Sequence, residues 1–484
     1  MLRRWVKVSM KKEKFSFPPN FLWGAATSSH QVEGDNRNND WWEWEEADRV
    51  KEKSGKACDH WNRFRADFAL AKSLGHNAHR FSIEWSRIEP EEGIFSEEAL
   101  YHYGEMIKTL RIFGIEPMVT FYHFTIPLWF AKKGGWLLDE SPEIFARYVR
   151  KVVETIDTPV RYWITMNEMM VYVYKGFIAG EWPPGEKSYE KAFRVLGNLL
   201  RGHVLAYQVI KEITATHPLH TNGGQANPLP QGEGSPNSHR QSLQRSGEGS
   251  PNSHRQSLQR SGEGRGEGLV GVAQFSAVYA PCSKWSWRHR LSTWFRAKMT
   301  NHLATEAMVY GKVNYPGLFQ IKLPRARTLD FIGINYYTRY FIHNRGFNAA
   351  GLLGDDCTLE HHRDVGKRTM MDWEIYPRGL SQLVKEFSKY KLPILISENG
   401  IATADDNERA EFIQNHLGEL ARAMSEGANV IGYLYWSLLD NFEWADGFFK
   451  RFGLIEIDYT NQHRRVRKSA EKFAEICAHG EILI

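Results

Sequence analysis

A chain of 484 residues with 42% hydrophobic and 25% charged side chains has the make-up of a soluble globular enzyme, two or three average domains long or one large barrel. The net charge of +5 resides in the first fourteen residues, where Arg3, Arg4, Lys7, Lys11, Lys12 and Lys14 meet only Glu13, so a nucleic-acid surface spread over the fold is excluded. No stretch approaches the ~20 apolar residues of a membrane span, and the basic start lacks the apolar run of a signal peptide.

Short apolar runs rich in β-branched and aromatic residues predict strands over 21–26, 78–83, 117–121, 162–165, 270–275, 331–334, 393–396 and 430–436. Between them, helical spacing predicts helices over 61–74, 96–113, 142–156 and 406–425. Strand and helix in alternation imply a parallel sheet, and eight such units imply a closed (β/α)8 barrel. A doubly wound sheet is the rival, but no G-x-G-x-x-G turn follows the first strand. The organisation expected is a basic tail over 1–14 and one catalytic barrel over 15–217 and 269–484, interrupted by an insertion over 218–268.

That insertion carries GEGSPNSHRQSLQRS at 232–246 and again, residue for residue, at 247–261. Each copy holds one large aliphatic residue, Leu243 or Leu258, so stacked copies would bury almost nothing and disorder is expected. A partner-binding arm built on Arg240, Arg245, Arg255 and Arg260 is the alternative. Cys58, Cys282, Cys357 and Cys477 are far apart, with no metal or redox spacing, and read as four thiols in a reducing cytoplasm. His76, His79, His361 and His362 sit in no ligand set, so no metal is expected.

Two glutamates stand at strand ends. Asn167-Glu168 follows the fourth strand, and Glu398-Asn399-Gly400 follows the seventh. Barrels present their sites at the carboxyl ends of the strands, so the two can face each other across the mouth. Alternatively each caps the helix that follows, and Asn399-Gly400 taken alone is a turn signal. The 17 Trp, 20 Tyr and 27 Phe suit core filling first, and also suit the flat C–H faces of sugars.

Five motifs in this order resemble family 1 of the glycoside hydrolases: FLWGAATSSHQVEG at 21–34, RFSIEWSR at 80–87, TMNE at 165–168, FIGINYY at 331–337 and YWSLLDNFEW at 435–444. The likeness runs from Phe15 to about Lys472, broken only by the insertion. It implies a retaining β-glycosidase, above all a β-glucosidase, that acts on small β-glycosides or short oligosaccharides. No cofactor, nucleic acid or membrane partner is implied. By the same resemblance Glu168 is the acid/base and Glu398 the nucleophile. Gln31, His123, Asn167, Tyr337, Glu443 and Trp444 bind the sugar, Trp436 is its stacking floor, and Arg80, Asn335 and Phe452 support them. Read from residue type alone, Arg80 also suits a core ion pair, His123 a core histidine and Trp436 barrel packing.

Retention needs the two carboxyl groups about 5–5.5 Å apart, and at that distance one of them should hold a proton. Glu168 is expected to hold it. The sequence departs from the family pattern at Phe124 and Thr125, where Trp and Asp are usual, and at Ser397, where Thr is usual. The tryptophan-rich stretch Asp40-Trp41-Trp42-Glu43-Trp44 either lines the site or packs beneath it. Glu443 and Phe452 argue against a 6-phospho-β-glycosidase, in which Ser and Tyr hold the phosphate. Glu168 argues against a thioglucosidase, which carries Gln there. With both carboxylates present, a non-enzymatic sugar-binding protein is disfavoured.

Overall fold

The computed structural model describes residues 14–216, 267–315, 319–344, 346, 352–363 and 365–483. Most of the insertion and all but Lys14 of the basic tail lie outside the described residues. Lys14 itself belongs to a short strand, Lys14–Ser16, paired antiparallel with Glu481–Leu483.

Eight parallel strands form the barrel: β1 (Leu22–Ala26), β2 (Ala78–Ser82), β3 (Glu116–Tyr122), β4 (Tyr162–Asn167), β5 (Leu269–Pro281), β6 (Phe331–His343), β7 (Ile394–Asn399) and β8 (Val430–Trp436). Each pairs with the next, β8 returns to β1, and the ring closes. A helix follows each strand: α1 (His60–Ser73), α2 (Glu97–Ile112), α3 (Ser141–Thr155), α4 (Tyr189–Thr216), α5 (Trp287–Ala297), α6 (Arg378–Phe387), α7 (Asp406–Ser425) and α8 (Lys468–His479). The (β/α)8 expectation holds. Ser96 starts α2 by accepting the Ala99 amide at 3.1 Å, which satisfies one of the helix's open N–H groups. No helix among the described residues is long and apolar enough to cross a membrane.

Ala78, Met118, Ile164, Ala273, Phe331, Leu395 and Leu434 meet inside the lower barrel, so its interior is a plug of side chains. Above them Ala26, Tyr337, Ala402, Trp436 and Phe452 form a second apolar cluster, the floor of the mouth. Strand alternation fails at two places between plug and mouth. In β4 the register slips between Ile164 and Asn167. Thr165 bonds to His203 of α4 and Met166 packs in the outer core, so two successive residues face the helices. In β7 the register slips between Ile396 and Glu398, and Ser397 and Glu398 both face inward. Such bulges re-aim side chains beside active sites.

β5 and β6 run on to 13 residues each, well past the predicted 270–275 and 331–334. Their far ends rise above the mouth as one wall. At the far edge of the expected insertion Gly268 is held: its amide donates to Thr214 Oγ1 at 3.1 Å, and its carbonyl accepts from Lys211 at 3.0 Å.

Candidate active site

Glu398 is buried at the end of β7. Its Oε1 accepts from Arg80 of β2 at 2.5 Å, and its Oε2 accepts the Tyr337 hydroxyl of β6 at 2.6 Å. Arg80 is clamped in turn, donating from Nε to Thr120 at 3.0 Å and from Nη2 to Asn167 Oδ1 at 2.7 Å. It is an ion pair, but one that fixes a carboxylate at the mouth. Asn335 donates to Glu168 Oε1 at 2.8 Å and to Asn167 Oδ1 at 3.1 Å. Ser397 orients that amide by donating to Asn335 Oδ1 at 2.7 Å. The two glutamates are therefore joined through Arg80, Asn167 and Asn335. Sequence reasoning missed the anchoring by Thr120 and Ser397; the substitution at Ser397 was its one trace.

Neither glutamate's side chain works as a helix cap. Glu168 precedes the short helix Met169–Val173 with φ +46° and makes no capping bond. Phe124 (φ +76°) and Trp444 (φ +50°) also occupy the left-handed region, which bulky side chains rarely enter. All three line one cavity of about 760 Å³, together with Gln31, His123, Asn167, Tyr337, Glu398, Trp436, Glu443 and Phe452. Backbone strain of this kind gathers at functional sites.

Burial, and then the charge of Glu398, push Glu168 up to about 8. Burial raises Glu398 as well, but Arg80 and Tyr337 pull it back. Of the pair, Glu398 is the one built to keep its charge. Glu443 is pushed up to about 8 by burial, with Asp446 and Glu398 adding to the effect. Burial and the Arg80 charge hold His123 well below the usual imidazole range, so it is neutral.

The supporting residues converge. Asn167 Nδ2 lies 3.3 Å from His123 Nε2. The His123 ring lies nearly parallel to those of Trp436 and Trp444, at centroid distances of 5.9 and 6.2 Å. Gln31 donates to Glu443 Oε2 at 3.3 Å and to the Phe442 carbonyl at 2.9 Å. Phe452 meets Tyr337 edge-on at 6.2 Å. Gly400 does more than turn the chain: a Cβ there would lie 1.8 Å from the Trp436 carbonyl oxygen, so only glycine lets β7 end against β8.

Residues 13–244 and 320–481 match the sequence profile described as glycosyl hydrolase family 1. The chain belongs to that family. It is 32% identical to "Beta-glucosidase A" of Thermotoga maritima over 95% of this chain and 97% of the relative. The solved beta-glycosidase from Pyrococcus horikoshii superposes with a TM-score of 0.81 at 38% identity, over 97% of this chain and 96% of that one. A Thermotoga maritima beta-glucosidase solved in complex with glucoimidazole gives 0.78 at 29% identity, over 96% and 99%.

Within this family 1 barrel the departures from the common pattern find their places. Phe124 packs edge-on against Trp182 and Trp444, at 4.9 and 5.4 Å, and Thr125 donates to Glu84 at 2.9 Å. Trp41 packs behind Trp444 at 4.7 Å; Trp41, Trp42 and Trp44 do not line the cavity, so that stretch lies beneath the wall. The outer cavity takes rings absent from the sequence expectation, among them Tyr174, Trp182, Tyr279, Tyr340 and Trp373. Lys450 turns away to the Met370 carbonyl. The cysteine reading needs correction. Cys282 and Cys357 Sγ lie 3.2 Å apart, with His361 Nδ1 3.3 Å from Cys357, because the long arms of β5 and β6 join what sequence spacing separates.

Proposed function

We propose that the protein is a retaining β-glycosidase, above all a β-glucosidase, that removes terminal β-glycosyl residues from small glycosides by double displacement. The observation that carries this reading is the unequal treatment of two buried carboxyls. Glu398 receives a guanidinium and a phenol, whereas Glu168 receives one neutral amide and is pushed up to about 8.

In the first step Glu398 attacks the anomeric carbon while Glu168 gives its proton to the departing oxygen. Once Glu398 is esterified its charge is gone. The pKa of Glu168 then falls, and the same group takes a proton from the attacking water. Two inversions return the original anomer. Asn167, next to Glu168, suits the 2-hydroxyl, a contact that strengthens in the oxocarbenium-like transition state. Gln31, His123 and Glu443 suit the remaining hydroxyls, and Trp436 and Trp444 offer faces for the ring. A sugar ligand is supported by the glucoimidazole complex of the Thermotoga enzyme. We place the protein in a reducing cytoplasm, in keeping with its unbridged thiols.

The test is stereochemical. Wild type should release the β-sugar first, followed by NMR on an aryl β-glucoside. Glu398→Gly should be inactive, and azide should restore it with an α-glycosyl azide as product. Initial release of the α-sugar would refute retention, and a β-azide would refute Glu398 as nucleophile.

A further inference from the structure

Apart from the glutamates, a second set of reactive side chains converges where the β5 and β6 arms end. The donor atoms of Cys282, His343 and Cys357 all lie within 4.8 Å of one another. The strand order brings this about. The Cys282 amide donates to the Ile342 carbonyl at 2.9 Å from the β5 side. From the other side, Asp355–Asp356 pairs antiparallel with His343 and Ile342, and the Cys357 amide donates to the Phe341 carbonyl at 2.7 Å. Two cysteines thus approach the strand of His343 from its two edges. All three residues are partly exposed, so an ion can reach them. Cys282 lies in 245–319, outside the stretches matched by the family profile.

We propose that Cys282, Cys357 and His343 form a zinc-binding site, with water completing the coordination. Two thiolates with imidazole are a donor set that zinc favours in tetrahedral geometry. Bonds of about 2.3 Å to sulfur and 2.0–2.1 Å to nitrogen set neighbouring ligand atoms roughly 3.3–3.8 Å apart. The 3.2 Å between the sulfurs falls just short of that spacing, and the His343 donor stands within 4.8 Å of both. A disulfide needs about 2.05 Å. As the two S–Zn bonds form, two thiol protons pass to solvent. The acidic neighbour Asp356 is engaged elsewhere, accepting from Arg296 at 3.0 Å. Leu353 and Asp356 line the main cavity just before Cys357, so the ion would fasten that wall to the β5 and β6 arms.

The test uses the full chain, reduced and stripped of metal with a chelator, then titrated with Co²⁺. One equivalent should bind with thiolate-to-cobalt charge-transfer absorption, and Zn²⁺ should displace it. Cys282→Ser and Cys357→Ser should each abolish the band, and His343→Ala should weaken binding about tenfold or more. Zn²⁺ should raise the Tm of wild type and leave that of the serine variants unchanged. Absence of the band in the reduced protein would overturn the proposal. So would a band that survives in the double serine variant, or reduced protein that closes a Cys282–Cys357 disulfide on mild oxidation without having taken up metal.

Discussion

The Tyr337 hydroxyl donates to Oε2 of Glu398 at 2.6 Å. The bond favours the charged carboxylate, and a hydrogen bond to a charged group contributes about 1.5–3 kcal/mol. Tyr337→Phe should therefore lower kcat/KM roughly 10- to 150-fold. Losing the donor raises the pKa of Glu398, so the acidic limb of the pH profile should move to higher pH. A pH series of kcat/KM on an aryl β-glucoside measures both effects, and an acidic limb unmoved or moved downward contradicts the assignment.

Glu168 links activity and stability to the same proton. If Glu168 is the acid proposed, its value of about 8 should place the basic limb of activity there, since the deprotonated group cannot assist the leaving oxygen. Glu168→Ala should erase that limb for substrates with good leaving groups. The folded pKa lies above the model-peptide value of 4.5, so the native state binds more proton between about pH 4.5 and 8. Stability from this group is full below 4.5 and declines as pH rises through 8. Glu168→Gln should accordingly raise Tm, with a gain that grows from pH 5 to pH 8 and reaches about 1–3 kcal/mol. Calorimetry showing a larger gain at pH 5 would reverse the picture.

On the proposed function, Glu443 should decide between a free sugar and its 6-phosphate. Its carboxyl faces the cavity with Gln31 attached, while Lys450 is tied to Met370. Placing a dianion against Glu443, which burial pushes up to about 8, costs desolvation at neutral pH, and repulsion as well once the carboxyl ionises. Wild type should prefer the unphosphorylated glycoside, and Glu443→Ala should lower kcat/KM by about 100-fold, the loss of two hydrogen bonds of about 1–1.5 kcal/mol each. Glu443→Ser should lose activity on the free glycoside and gain some on the phosphate. Faster wild-type turnover of the 6-phosphoglycoside would defeat this assignment.

The Gly268 amide bonded to Thr214 Oγ1 brings the two flanks of the insertion together. Residues 217–266 can then be replaced by a short Gly/Ser linker without pulling α4 away from β5. Closing a loop costs only about 0.6 kcal/mol per doubling of its length, so Tm should hold or rise slightly. The variant's kcat/KM should stay within a few-fold of wild type. A folded variant that had lost most of its activity would mean that the segment reaches the cavity.

All eight strands were legible because each is a short apolar run between helical periods. The bounds of α7, Asp406–Ser425, coincide with prediction. The placing of Glu168 and Glu398 at the mouth was legible because barrel geometry gives strand ends a meaning that isolated residues lack. The upper halves of β5 and β6 were not. Past Asn335 the chain mixes Thr338 and Arg339 with aromatic residues, and such an arm, half facing the mouth, has no continuous apolar run. The register slips were invisible for a related reason: Thr165-Met166 and Ser397-Glu398 break the alternation on which strand reading depends. The Cys282–Cys357 approach arises from pairing across β6, and spacing along the chain carries no trace of it.

The two slips also separate responsibilities within the barrel. Below them, Ile164 and Leu395 keep step with the plug; above them, Asn167 and Glu398 follow a different beat. The carboxyl pair therefore stands out of phase with the plug residues on the same two strands. One residue added to or removed from β4 or β7 above the slip should turn a glutamate toward the helices and abolish turnover.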